Sequence, residues 1–161
     1  MRKKKKTIWA IFFVVIFVTG GASYHYARTH GFSARVKPNP LEEYFAKTVR
    51  RLIVPYGIKE KQNPVEKNEI ILAEARDHFA DHCASCHAND GSGKTPMGPN
   101  MYPPVPDMRT DYTQELTDGE LFYIIKEGIR FSGMPGWGGD DDENWKLVHF
   151  IRHLPNLSKE E

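Results

Sequence analysis

Cys83-Ala84-Ser85-Cys86-His87 constrains what this chain can fold into more than any other stretch. These are the only two cysteines in 161 residues, too few and too close together to staple a small exported domain, so their role is chemical. Cys-x-x-Cys-His is the pattern of covalent haem attachment. Two thiols at this spacing add to the two vinyl groups on one porphyrin edge, and the adjacent imidazole reaches the iron from one face. Two other chemistries use similar residues. A zinc site would need a second ligand pair, because His82, Cys83, Cys86 and His87 are too contiguous to surround a tetrahedral ion. A thioredoxin-like redox pair would need strand–helix–strand surroundings, whereas the flanks here are helical before and glycine-rich after. The expected cofactor is therefore one covalent haem c, its iron bound by His87.

Haem attachment of this kind takes place outside the cytoplasm, and the N-terminus supplies an export signal. Arg2, Lys3, Lys4, Lys5 and Lys6 precede an apolar run of about 16 residues, Thr7 to Ala22. The basic flank should stay cytoplasmic, leaving the rest on the outer side of the cytoplasmic membrane. The run is shorter than the ~20 residues of an untilted span, but Tyr24 and Tyr26 extend it as interfacial aromatics. It is expected to be an uncleaved single-pass anchor over residues 1–23. A signal peptide cleaved near Gly20, Gly21, Ala22 and Ser23 is the alternative.

Charge divides the chain. Residues 1–63 hold 13 Lys/Arg and 3 Asp/Glu, and residues 64–161 hold 9 and 18. The acidic half argues against nucleic acid and for protein partners with basic patches, whose encounter rate falls with added salt. The basic half suits anionic lipid headgroups or acidic protein surfaces.

Residues 24–66 read as a connector, with Pro38, Pro40, Pro55 and Pro64 forbidding one long helix. A short helix is expected within it. Asn39 caps it, Pro40 takes its first position, and Leu41, Tyr44, Phe45, Thr48 and Leu52 repeat at helical spacing up to Val54. Its polar face carries Lys47, Arg50 and Arg51, so it suits the bilayer surface, a partner subunit, or a cover over the next domain.

Residues 67–161 should form an all-α domain of about 95 residues, in which the porphyrin supplies much of the apolar core. Asn68 to His82 carries Ile71, Leu72, Ala75 and Phe79 along one stripe and delivers Cys83 at its end. A second helix starts at Thr117 or Asp118 and stops at Gly128. A third runs from the acidic patch Asp140 to Glu143 through Trp145, Val148, His149, Ile151 and Arg152 to Pro155.

Over roughly residues 68–157 these features resemble the single-haem class I cytochromes c. The resemblance implies that Phe79 packs on Val148 and Ile151, with Ala75 at the close contact. It implies that the Pro99 carbonyl of Gly98-Pro99-Asn100 accepts the His87 N–H, which would orient the imidazole and tune its basicity. It implies a sixth ligand on the loop before the last helix, where Gly133-Met134-Pro135 stands. Met97, Met101 and Met108 also follow the haem motif, but Met97 sits in the Gly-rich turn after His87. Met101 and Met108 follow too closely to cross the porphyrin, while Met134 lies beyond a full helix. Arg109, Tyr112 and Trp137 are candidate donors to the haem propionates. His78, His82, His149 and His153 read as surface or core-edge residues.

An iron closed by His87 and Met134 has no open position for substrate, which leaves electron transfer and no catalytic residue. The expected function is single-electron carriage between redox partner proteins, possible members of a respiratory complex, at the outer face of the membrane. Two alternatives remain: a fixed haem subunit of a larger respiratory oxidoreductase, and a haem sensor whose Met134 is displaced by NO or CO.

Overall fold

Among the residues described in the computed structural model, 2–31 and 33–158, every regular element is a helix. The side chains of Arg2, Lys3, Arg51 and Ile53 lie outside the described ones, so the place of Arg51 on the polar face is not assigned. The chain divides into two compact units, one ending at Ser33 and the other beginning at Ala34.

The first unit is α1, Arg2–His30. The apolar run alone is short for a membrane, but the helix does not stop with it. Residues Lys4–His30, 27 in all, are long and apolar enough to cross one. Polar side chains along it bond within the helix: the Thr19 hydroxyl donates to the Val15 carbonyl at 2.8 Å, and that of Thr29 to the His25 carbonyl at 2.9 Å. Such internal bonds are what hydrocarbon demands of a hydroxyl.

In the second unit, α2 (Pro40–Ile53) begins as the sequence predicts. Asn39 Oδ1 accepts the Glu42 N–H at 2.9 Å, Glu42 Oε2 accepts the Asn39 N–H at 3.3 Å, and Pro40 fills the first turn. A single turn, α3 (Tyr56–Lys59), follows, and the rest of the connector is strapped along the bundle. Asn63 Nδ2 donates to the Trp145 carbonyl at 2.9 Å, and His149 Nε2 lies 2.7 Å from the Val65 carbonyl.

Two helices cross to form the core, α4 (Glu69–His82) and α8 (Asp141–His153), and α7 (Asp118–Glu127) packs on the other side of α8. Ala75 and Val148 are completely buried, and Phe79, Phe150 and Ile151 lie in the same cluster. The predicted contact of Phe79 with the last helix is present. Its closest ring partner is Phe150, with centroids 5.1 Å apart. Phe122 and Trp145 stack at 4.2 Å to join α7 to α8. With helices on two sides, α8 buries more than one stripe, which is why Phe150 escapes a single-face reading.

Arg152 closes the far end of α8. Its Nε donates to Asp118 Oδ1 at 2.9 Å and its Nη1 to the Gln114 carbonyl at 2.6 Å, while Nη2 donates to the Leu116 carbonyl. The guanidinium thus satisfies two carbonyls that the short α6 (Asp111–Gln114) and the turn after it leave open. Arg152→Met is expected to lower stability by about 2–3 kcal/mol, read as a fall in denaturant midpoint at constant slope. Arg152→Lys should recover less than half of this, because one ammonium cannot span three divergent acceptors.

Candidate functional site

The attachment motif is built by the end of one helix and a single turn beyond it. Cys83 caps α4, its N–H donating to the Phe79 carbonyl at 2.8 Å. The turn α5 (Ala84–His87) follows, with Cys86 N–H and His87 N–H both donating to the Cys83 carbonyl at 3.1 and 2.9 Å. Ala88, at φ 60°, breaks the helix at once. Positions i, i+3 and i+4 of one turn lie on one face, so Cys83, Cys86 and His87 are presented together.

They open onto a cavity of about 810 Å³, within the ~300–1,000 Å³ usual for bound small molecules. Phe79, Leu121, Ile125 and Ile151 give it an apolar wall, and Met134 and Trp137 also line it. Neither cysteine is in a disulfide. Burial and the neighbouring Cys86 push the Cys83 thiol up to about 11, and burial pushes the His87 imidazole down to about 4. A buried imidazole held neutral is a lone-pair donor ready for a metal. Among the described residues no group of three or more His, Cys, Asp and Glu is clustered as a metal site would need, and no strand flanks the two cysteines. Two thiols, a neutral imidazole and a thioether on the wall of one apolar cavity fit haem c.

Met134 is held by its loop. Its carbonyl accepts the Ile129 N–H at 3.1 Å and its N–H donates to Ser132 Oγ at 3.1 Å. Trp137 and Gly138 N–H groups donate to the Ile125 and Lys126 carbonyls at 3.2 and 2.9 Å, tying the loop to the end of α7.

Other predicted residues are placed differently. Gly98 is buried behind the motif, where a Cβ would meet the Gly93 carbonyl oxygen and come within 3.0 Å of that of Cys86, so close packing requires glycine here. Neither Gly98 nor Pro99 lines the cavity, and the expected bond to the Pro99 carbonyl is not made: His87 Nδ1 is buried with no hydrogen-bond partner. Arg109 is turned to carboxylates of the protein itself. Its guanidinium grips Asp107 at 2.8 and 2.7 Å and Asp90 at 3.0 Å, and it lies off the cavity. Tyr112 and Trp137 do line it. So do Met97, Met101 and Met108. Met101 reaches the Met134 loop, its Sδ lying 2.8 Å from where a Gly133 Cβ would stand, so short chain separation from the motif does not keep it away. His82, expected at a surface or core edge, is exposed yet also on the cavity wall, its ring 5.5 Å from Trp137. A second depression of about 970 Å³, between Pro55, Lys59 and Thr117, holds none of these groups.

Helices alone would not distinguish this unit from other small bundles, but the attachment turn opening onto the cavity does, and residues 72–151 form a c-type cytochrome domain. The same residues match the family model described as cytochrome c oxidase, cbb3-type, subunit III, and the cofactor of such a domain is covalently bound haem c with its iron. Among curated proteins none matches the chain with significance.

Proposed function

We propose that this chain is a single-electron carrier tethered by α1 to the cytoplasmic membrane, with its cytochrome domain on the outer face. The cavity shared by Cys83, Cys86, His87 and Met134 carries this reading. Cys83 and Cys86 would hold haem c through thioethers, and His87 and Met134 would be the ligands of its iron. Haem c supplies the one-electron couple. The chain's residues do the rest. His87 stays neutral and fixed by its buried turn, and the soft Met134 sulfur favours the ferrous state. The apolar wall of Phe79, Leu121, Ile125 and Ile151 excludes water and raises the potential further. With His87 and Met134 both given to the iron, no position would be left for a substrate, so the group would supply electron transfer alone.

The discriminating measurement is optical. The far-red charge-transfer band of Met-ligated ferric haem is expected in the unaltered protein. It should disappear in Met134→Ala and persist in Met101→Ala. The reverse pattern would move the sixth ligand to Met101, and rapid CO binding by the untreated ferrous protein would favour a sensor.

One observation favours a fixed subunit of a respiratory complex as second reading. Leu41, Tyr44, Phe45, Val49, Leu52 and Tyr56 are all at least half exposed beside a domain whose matching family is described by an oxidase subunit. Mild solubilisation of native membranes followed by native electrophoresis separates the two: a carrier migrates alone, and a subunit comigrates with a larger haem-containing band.

A further inference from the structure

The helix α2 is turned the opposite way from an ordinary amphipathic helix. Leu41, Tyr44, Phe45, Val49 and Leu52 are exposed, whereas Lys47 and Arg50 are half buried and line the cavity. Turning cations inward at the expense of apolar burial is unfavourable unless an anion meets them there.

Among the described residues no carboxylate pairs with Arg50. Its Nη1 donates to the Tyr112 hydroxyl at 2.9 Å and its guanidinium carbon sits 4.5 Å from the centre of that ring, but its Nε is buried without a hydrogen-bond partner. Lys47 Nζ lies 4.8 Å from the same ring centre and pairs with Glu43 Oε1 at 2.7 Å on its own helix. Lys37, Glu43, His82 and Asp107 are further charged or titratable groups on the wall. Asp107 is already occupied by Arg109, and Glu43 by Lys47. One cationic donor with an unmet bond, Arg50, therefore faces a cavity two of whose carboxylates are already taken, and Lys47 stands beside it over the same Tyr112 ring. The start of the helix is held in place from the domain side, because the Tyr102 hydroxyl donates to Glu42.

We propose that Arg50, Lys47 and the Tyr112 hydroxyl bind the propionate carboxylates of haem, so that a helix outside the matched residues 72–151 completes the cofactor site. This rests on the reading that the cavity bounded by Cys83, Cys86 and His87 holds haem. Carboxylate is the anion a planar guanidinium fork recognises best, and the propionates are the only anionic substituents of the porphyrin. A cation held near them favours the ferrous state, since reduction removes one unit of positive charge from the iron.

The test uses the full-length chain, matured with haem and solubilised in detergent. Arg50→Gln should lower the midpoint potential by the equivalent of about a fivefold shift in the reduced-to-oxidised ratio at fixed electrode potential. Arg50→Lys should restore most of it. Lys47→Gln should give a smaller fall of the same sign, and Lys67→Gln, an exposed control off the cavity, should give none. In reduced-minus-oxidised infrared difference spectra with carbon-13 at the propionate carboxyls, the isotope-sensitive bands should move in Arg50→Gln and Tyr112→Phe and stay in Lys67→Gln. Unmoved bands overturn the proposal, as does a potential that Arg50→Gln leaves unchanged or that Arg50→Lys fails to restore. Pigment that leaves the unaltered chain on denaturing electrophoresis sinks the covalent-haem reading itself, which keeps the two failures apart.

Discussion

Gly128→Ala is expected to cost about 3–4 kcal/mol and to abolish the far-red band of Met-ligated ferric haem. Two effects add. Gly128 sits at φ 70°, where an L side chain is strained by about 1–2 kcal/mol. A Cβ there would also meet the backbone of the Met134 loop, clashing with the Gly136 nitrogen and the Pro135 carbonyl carbon and coming within 2.8 Å of the Met134 carbonyl oxygen. These are backbone atoms tied to the end of α7, so relief requires the whole loop to move. Gly138 isolates the second effect. It has φ 59° with nothing within 4 Å of the added atom, so Gly138→Ala should show the backbone strain alone, about 1 kcal/mol, and keep the band. Denaturant titration of the ferric protein with the band recorded on the same samples checks both. Equal costs at the two glycines would show that the loop yields freely.

The features legible in the sequence are those fixed by local periodicity and punctuation. Asn39 and Thr117 both close capping boxes, α7 stops at Gly128, and the apolar stripe ending in Phe79 reaches α8. The attachment turn was legible because i, i+3, i+4 is a property of one helical turn. Relations between distant segments were not. Asp107 stands only two residues before Arg109, but nothing local tells that Asp90, 19 residues before it, takes the other side of the guanidinium. The orientation of α2 was hidden for the same reason. Its amphipathicity reads directly from the sequence, but which face turns inward depends on Tyr112, 62 residues beyond Arg50. Chain separation argues against Met101, yet the proline-rich segment folds back to bring its sulfur to Gly133. Phe150 lies outside the single apolar stripe of α8 and is buried because α8 packs against both α4 and α7.

Phe79→Ala should remove about 3–5 kcal/mol of stability, the usual cost of deleting a fully buried aromatic. Phe79 is 1% exposed and stands at the crossing of α4 and α8, where its ring meets Phe150 at 5.1 Å; aromatic pairs of this kind add ~0.5–1.5 kcal/mol beyond buried area. For a domain of this size that corresponds to a fall in Tm of more than ~10 °C. Stability alone does not identify its part in the site, because Phe122, also buried and stacked on Trp145, should be similarly costly to truncate. The two differ in what else they touch. Phe79 lines the cavity and lies 6.4 Å from the His87 ring, whereas Phe122 does not line it. Truncating Phe79 admits water beside the donor imidazole, so the midpoint potential of Phe79→Ala should fall while that of Phe122→Ala stays near the unaltered value. Phe79→Leu, keeping most of the volume, should recover the larger part of both losses. Equal potentials in the two alanine variants would mean that the wall beside His87 is not what keeps the site dry.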